Sequence, residues 1–241
     1  MRTVALPPVV GAERAAWHLV LDLAEAGLPR WVLAGGLMVH LHLHEAGATP
    51  TRVTTDVDAI VDVSIRSRHA TEEFSRLLEE EFDLRLEEPD ADGVAHRFRR
   101  RDGVVVDVLA ADFGPRSRPH LTIAPARTVE VPGGRSLLDS AEPVLIEHEG
   151  RSARIERPSL LAAIIGKGRA FTDIVSLTGD PERHLRDAAA LLAVLDPDSV
   201  TIRAGDRRHL TSLRERLTSR PRLAGDDLDV ALDTIGLLVR R

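Results

Sequence analysis

The chain has 241 residues, 43% hydrophobic and 29% charged, the balance of a globular protein that can bury a core in one large domain or two small ones. Cysteine is absent, which excludes disulfides, thiolate metal sites and cysteine nucleophiles. A net charge of -6 weighs against a protein that coats nucleic acid but leaves room for a local basic groove, and with no Tyr and only 3% aromatics there are few platforms for stacking single-stranded bases. The N-terminus lacks a basic region followed by an apolar core, and no run approaches the roughly 18 apolar residues of a membrane span, so a soluble cytoplasmic protein with no membrane partner is expected.

Pro7-Pro8 closes a loose N-terminal segment. Residues 12–26 repeat apolar side chains at helical spacing and are stopped by Gly27 and Pro29. A short apolar strand over 31–34 runs into Gly35-Gly36, which opens a helix reaching about Glu45. The strand over 57–63 is nearly continuous in apolar content, as a central strand should be. A helix over 68–81 turns Phe74, Leu77 and Leu78 inward, and 82–87 alternates as a strand. Asp102-Gly103 between the extended runs 94–100 and 104–109 is a strong hairpin signal. Residues 122–157 are short extended pieces broken by Pro125, Pro132-Gly133-Gly134 and Pro143, with a small hairpin of 144–148 and 153–156 turned at Glu149-Gly150-Arg151. From Pro158 onward the period is 3.6, giving helices over 160–171, from Asp180-Pro181 to 195, over 205–219 and over 226–239. The fold class is α/β, more fully α+β: a mixed-sheet domain over 1–157 followed by an all-helical domain over 158–241.

Strand alternation puts the carboxylates of Asp56 and Asp58 on one face and Val57 and Ala59 on the other. Two shielded carboxylates on one face repel unless a cation lies between them, and a hard divalent ion, Mg2+ above all, suits oxygen ligands. The other reading leaves Asp56 at a strand start and Asp58 in solvent. Asp107 interrupts the apolar strand 104–109, and since a buried unpaired carboxylate is costly it either lies at an edge or faces a positive partner. Placed antiparallel beside 57–63 it would face the same spot, and three converging carboxylates are what two-metal phosphoryl transfer requires. Gly35-Gly36, between strand and helix, lets a triphosphate approach the free N–H groups of a helix N-terminus. The pattern matches neither the dinucleotide fingerprint nor the Gly-rich phosphate loop ending in Lys-Ser/Thr. Lys167 is the only Lys among 32 basic residues, flanked by Gly166 and Gly168, so either a ligand approaches there or one Lys persists on a helix surface. His40, His42 and His44 lack the pattern of a zinc protease and read as surface or groove histidines, and the run Arg97, Arg99, Arg100, Arg101 reads as an RNA-backbone contact or a solvated hairpin edge.

Gly35-Gly36, a helix, Arg52-Val53-Thr54-Thr55-Asp56-Val57-Asp58 and the later Asp107 resemble the nucleotidyltransferase superfamily related to DNA polymerase beta, and in particular its AbiEii/AbiGii toxin-like branch. Lys167 and the pair Arg186-Asp187 extend the resemblance into the helical part, so that it covers about 31–192. It implies Asp56, Asp58 and Asp107 as metal ligands, Asp107 helping to activate the acceptor, and Gly35 and Gly36 as the phosphate-side turn. Arg52, Thr54, Lys167 and Asp187 then become nucleotide contacts, with Lys167 steadying the triphosphate. The separation between Gly36 and Asp56 is longer than in compact members.

The expected activity is transfer of a nucleoside monophosphate from a nucleoside triphosphate to a hydroxyl, dependent on Mg2+ or Mn2+, with pyrophosphate released. Resemblance supplies the partners: an acceptor hydroxyl on RNA, a tRNA end in particular, or on a protein, and an antitoxin. Two other readings remain open, a small-molecule transferase of the antibiotic-modifying type and a catalytically silent domain that binds nucleotide or a partner protein.

Overall fold

The structure, a computed structural model, describes residues 1–64, 69–112, 120–173, 180, 182–220 and 227–240. In chain order the elements are β1 (Arg2–Ala5), α1 (Gly11–Glu25), β2 (Trp31–Leu33), α2 (Gly35–Glu45), β3 (Asp56–Val61), α3 (Ala70–Phe82), β4 (Arg85–Leu86), β5 (Arg97–Arg99) and β6 (Val105–Ala111). There follow β7 (Val129–Val131), α4 (Gly134–Asp139), β8 (Ala141–His148), β9 (Arg151–Pro158), α5 (Leu160–Asp173), α6 (Arg183–Ala193), α7 (Ala204–Ser219) and α8 (Leu228–Arg240). A mixed α/β region is thus followed by a largely helical one, as the change of period predicts. The helix starts expected at Arg68, Pro181 and Asp226 lie outside the described residues.

The larger sheet has the order β2-β3-β6-β5-β4, with β7 also pairing β6. Here one expectation is corrected: β6 lies parallel to β3, not antiparallel, with Asp58 opposite Asp107. The reason is the connection, because α3, β4 and β5 intervene and supply the long crossover that a parallel pair needs. Val57, Ala59 and Val61 of β3 and Val106, Val108 and Ala110 of β6 are buried in the main core, on the side where α1 and α3 pack. Ile60 and Ala111 face the other way and form a smaller cluster with Val32, Ala34, Leu137 and Leu138.

Three elements escape the sequence reading. β1 pairs in parallel with β8, Arg2 opposite Val144, and completes a second sheet of order β1-β8-β9. β7 pairs with only three residues of β6. Pro132-Gly133-Gly134, read as a breaker, opens α4: Gly133 caps it at φ +80, and a Cβ on Gly134 would stand 2.9 Å from the Ala111 Cα, so the helix sits on β6 at a distance that only glycine allows. Among the described residues no helix is long and apolar enough to cross a membrane.

Candidate functional site

The polar face of the larger sheet begins where β3 and β6 begin. Arg97 pairs with Asp107 across β5 and β6, and Asp107 with Asp58 across β6 and β3, so the three side chains form a row on one face. Asp56 is two residues upstream on the same face. The row is therefore basic, acidic, acidic. Arg97 donates two hydrogen bonds to Asp107, each 2.8 Å, and its Nη2 lies 3.8 Å from Asp56. The buried Asp107 thus has the positive partner that its burial demands. Asp58 is less well served. Burial first, then the charge of Asp107, pushes its carboxyl up to about 6; Lys167 and Arg183 pull the other way, and Asp56 adds to the rise.

The glycine pair explains how Asp58 is held. β2 ends beside β3, with the Ala34 N–H donating to the Asp58 carbonyl at 2.8 Å, and α2 starts at once. Gly35 has φ +64, and a Cβ there would stand 1.6 Å from Asp58 Oδ2. At Gly36 the same atom would meet Thr54 Oγ1 at 2.3 Å and Arg52 Nη2 at 3.0 Å. The chain's own acid and hydroxyl side chains thus fill the space beside both glycines. What remains for an anion is the backbone: no side chain caps α2 at Ala34, so the first N–H groups of α2 have no capping oxygen. Gly35→Ala is expected to cost roughly 2–4 kcal/mol, from the positive φ and from the overlap with Asp58. Gly11, at φ +61 with nothing within 4 Å, is the control, and Gly11→Ala should cost only about 1 kcal/mol, both variants being read by urea titration.

The helical part brings in the remaining charges. Asp187 of α6, 3% exposed, accepts two hydrogen bonds from Arg52, each 3.0 Å, and its Oδ2 lies 2.8 Å from Lys167 Nζ. Burial alone would raise its pKa, but Lys167 and Arg52 outweigh burial and hold it well below the usual carboxylate range. Lys167 is buried, so the reading of a lone surface lysine fails. Its glycine neighbours serve helix packing, Gly166 against Leu137 and Gly168 against Leu213. Arg186 turns away and pairs with Asp180. Arg183, four residues before Asp187, is the α6 arginine whose charge acts on Asp58. Sequence reasoning passed over Arg183 and also His184, although the spacing of 183 and 187 puts both on one helix face.

These groups border a cavity of about 100 Å³. Gly35, Asp58, Lys167 and His184 give its polar wall; Met38, Ile60, Leu109 and Leu137 are among the apolar groups of the rest. His184 Nδ1 is buried without a partner, and burial first, then Lys167 and Arg183, pull its pKa down to about 4, so the ring is neutral at pH 7. The α2 histidines are not surface groups as expected. His40 and His42 are buried, His40 Nδ1 lying 3.0 Å from Glu13 and His42 Nε2–H donating to the Pro158 carbonyl at 3.1 Å. α2 is apolar on every side, which leaves these rings no solvent face. The arginine run lies on an interior strand and its turn rather than at a sheet edge, with Arg97 and Arg100 half-buried and Arg99 and Arg101 exposed. β5 is an interior strand, Arg99 donates to Glu87 at 2.7 Å and Arg100 to Asp102 at 2.8 Å.

No family model matches the sequence, and no curated protein does. Among solved structures, the crystal structure of an antigenic nucleotidyltransferase-like protein from Paracoccidioides brasiliensis is similar, with 15% identity, a TM-score of 0.51 and 92% of each chain covered. The fold resembles that of this nucleotidyltransferase-like protein. At that identity the similarity extends to the chain trace, and the side chains must be argued from their own geometry.

The fold brings Asp56, Asp58 and Asp107 toward one end of two parallel strands, with Asp58 and Lys167 on a single cavity. The oxygens of the three acids do not all lie within 4.8 Å of one another, and Arg97 reaches two of the three acids. The donor set suits a divalent cation in that all its ligands are hard oxygens and burial, then Asp107, makes the Asp58 charge costly, but Arg97 already holds Asp107 and reaches Asp56, so a cation there competes with that guanidinium.

Proposed function

We propose that the cavity binds a nucleoside triphosphate and that the chain transfers its nucleoside monophosphate to a hydroxyl. The observation that carries this reading is Asp58, in register beside Asp107, sharing one cavity with Gly35 and Lys167. Asp56, Asp58 and Asp107 would hold Mg2+ or Mn2+, which supplies charge neutralisation and Lewis acidity at the phosphates. Lys167 donates to phosphate oxygens, and the uncapped α2 N–H groups take a second set of them. Asp187 and Arg52 position Lys167 from behind. The apolar floor of Met38, Ile60 and Leu109 receives the nucleoside. In the reaction the acceptor oxygen bonds to the α-phosphorus, the α–β bridging bond breaks, pyrophosphate leaves and a carboxylate of the cleft takes the hydroxyl proton. The helical part, on this reading, closes the nucleotide cleft.

The AbiEii/AbiGii-like resemblance of the motifs extends the proposal to an RNA acceptor, a tRNA end in particular, or a protein hydroxyl, and to an antitoxin partner. Small-molecule transfer uses the same cleft with a smaller acceptor. One observation favours binding without turnover: Arg97 already neutralises Asp107 and reaches Asp56, the positions the metal requires. The test incubates purified protein with each of four labelled triphosphates and Mg2+, against total RNA, cell lysate and small hydroxyl compounds. Label transferred by wild type and not by Asp58→Ala supports transfer. Triphosphate bound but never transferred supports the silent reading. If Arg97 is a competitor of the metal, Arg97→Gln should tighten Mg2+ binding about tenfold, read by calorimetry.

A further inference from the structure

We propose that His18 of α1 with His148 and Glu149 of the β8–β9 turn forms a transition-metal site that shares no residue with the acidic cleft. Among the described residues these are the three His, Asp or Glu side chains whose ligand atoms all come within 4.8 Å of one another. His18 Nε2 lies 2.9 Å from Glu149 Oε2. The His18 and His148 rings meet edge to face, their centroids 5.5 Å apart. His148 is 2% exposed, yet neither of its ring nitrogens has a hydrogen-bond partner. A buried imidazole with two orphan nitrogens is costly unless a ligand engages it.

The donor set selects the ion. Two imidazoles and one carboxylate suit Zn2+ and its first-row neighbours, whereas Mg2+ prefers oxygen alone. Tetrahedral bonds of about 2.0–2.2 Å set ligand atoms about 3.3–3.5 Å apart, so the 2.9 Å His18–Glu149 contact opens slightly and the other pairs, all within 4.8 Å, close by at most about 1.5 Å. Arg14 is the competitor within the fold, donating from Nε to Glu149 Oε1 at 2.8 Å and from Nη2 to Oε2 at 2.6 Å. A metal on Oε2, where His18 already points, must displace the two Arg14 bonds to that oxygen, from Nη2 at 2.6 Å and Nε at 2.9 Å, leaving Arg14 on Oε1 to orient the carboxylate from outside. Glu149 and Gly150 form a two-residue turn with both φ positive, which fixes where the carboxylate leaves the hairpin. An opening of about 430 Å³ has His148 and Glu149 in its wall, with Ala5, Leu6 and Glu147, and lies beside the cluster. The bound ion would tie α1 to the β8–β9 hairpin.

The experiment is equilibrium dialysis of the untagged full chain against Zn2+ in excess Mg2+, which occupies the cleft carboxylates, with Co2+ absorption as a second readout. Wild type and Asp58→Asn should each retain one Zn2+ per chain and give the visible bands of histidine-bound Co2+. His18→Gln and Glu149→Gln, both at partly exposed positions, should bind at least about tenfold more weakly and lose those bands. Thermal unfolding of wild type should rise with Zn2+ while that of His18→Gln does not. No retained zinc, or equal zinc on wild type and His18→Gln, or zinc lost in Asp58→Asn instead, would each overturn the proposal.

Discussion

Asp58→Asn is expected to abolish nucleotidyl transfer and, at pH 8 without metal, to make the protein more stable than wild type. The two effects share one cause. Folding raises the Asp58 carboxyl from 3.8 to about 6, through burial first and then through Asp107. A carboxyl raised by folding contributes stability that is present in full below its unfolded pKa and is lost as pH rises through the folded one. Wild type should therefore lose stability between about pH 4 and pH 7, on the order of 1–3 kcal/mol, in a way that Asp58→Asn does not. Urea midpoints for both proteins at pH 4 and pH 8 in chelator measure the difference directly. Adding Mg2+ at pH 8 should restore wild type and leave the variant unchanged. Equal pH slopes for the two proteins would place Asp58 in water rather than in an acidic cleft.

Asp187→Ala is the second large effect. The side chain is buried between Arg52 and Lys167, and its removal leaves the buried Lys167 ammonium without a carboxylate. Breaking such a buried arrangement by deleting one partner costs about 3–5 kcal/mol. Asp187 is held below its ordinary pKa, so its contribution is present above the unfolded value and fades as pH falls below it. The stability gap between wild type and Asp187→Ala should accordingly be full at pH 7 and shrink toward pH 2. Lys167→Met, which leaves Arg52 to pair with Asp187, should cost less stability and still remove triphosphate binding.

Local pattern carried a good part of this fold. The continuous apolar run of 57–63, the helical period after Pro158 and the Asp102-Gly103 turn each depend on neighbours in sequence, and the structure has a strand, helices and a hairpin turn there. Strand direction is different: whether β6 runs with or against β3 depends on the path of the crossover, which no local signal encodes. The β1–β8 pairing joins residues far apart, and four residues with one buried position have no readable period. In the site, the shared face of Asp56 and Asp58 was legible from alternation. The partner of Asp107 was not, because Arg97 becomes relevant only once β5 and β6 are in register. The choice of Arg186 over Arg183 ignored helix phase, since residues four apart share a face and adjacent ones diverge by about 100°. The histidines of α2 went astray because a helix buried on all sides offers no polar face by which to place them.

Calorimetric titration of wild type and Asp58→Asn with each nucleoside triphosphate in Mg2+, repeated in chelator, tests the acidic cleft as a metal–triphosphate site most directly. At least one triphosphate should bind wild type only with Mg2+ present, and at least about 100-fold more weakly when Asp58 is changed. Binding that ignores both Mg2+ and the Asp58 substitution, or no binding by any triphosphate, would contradict it.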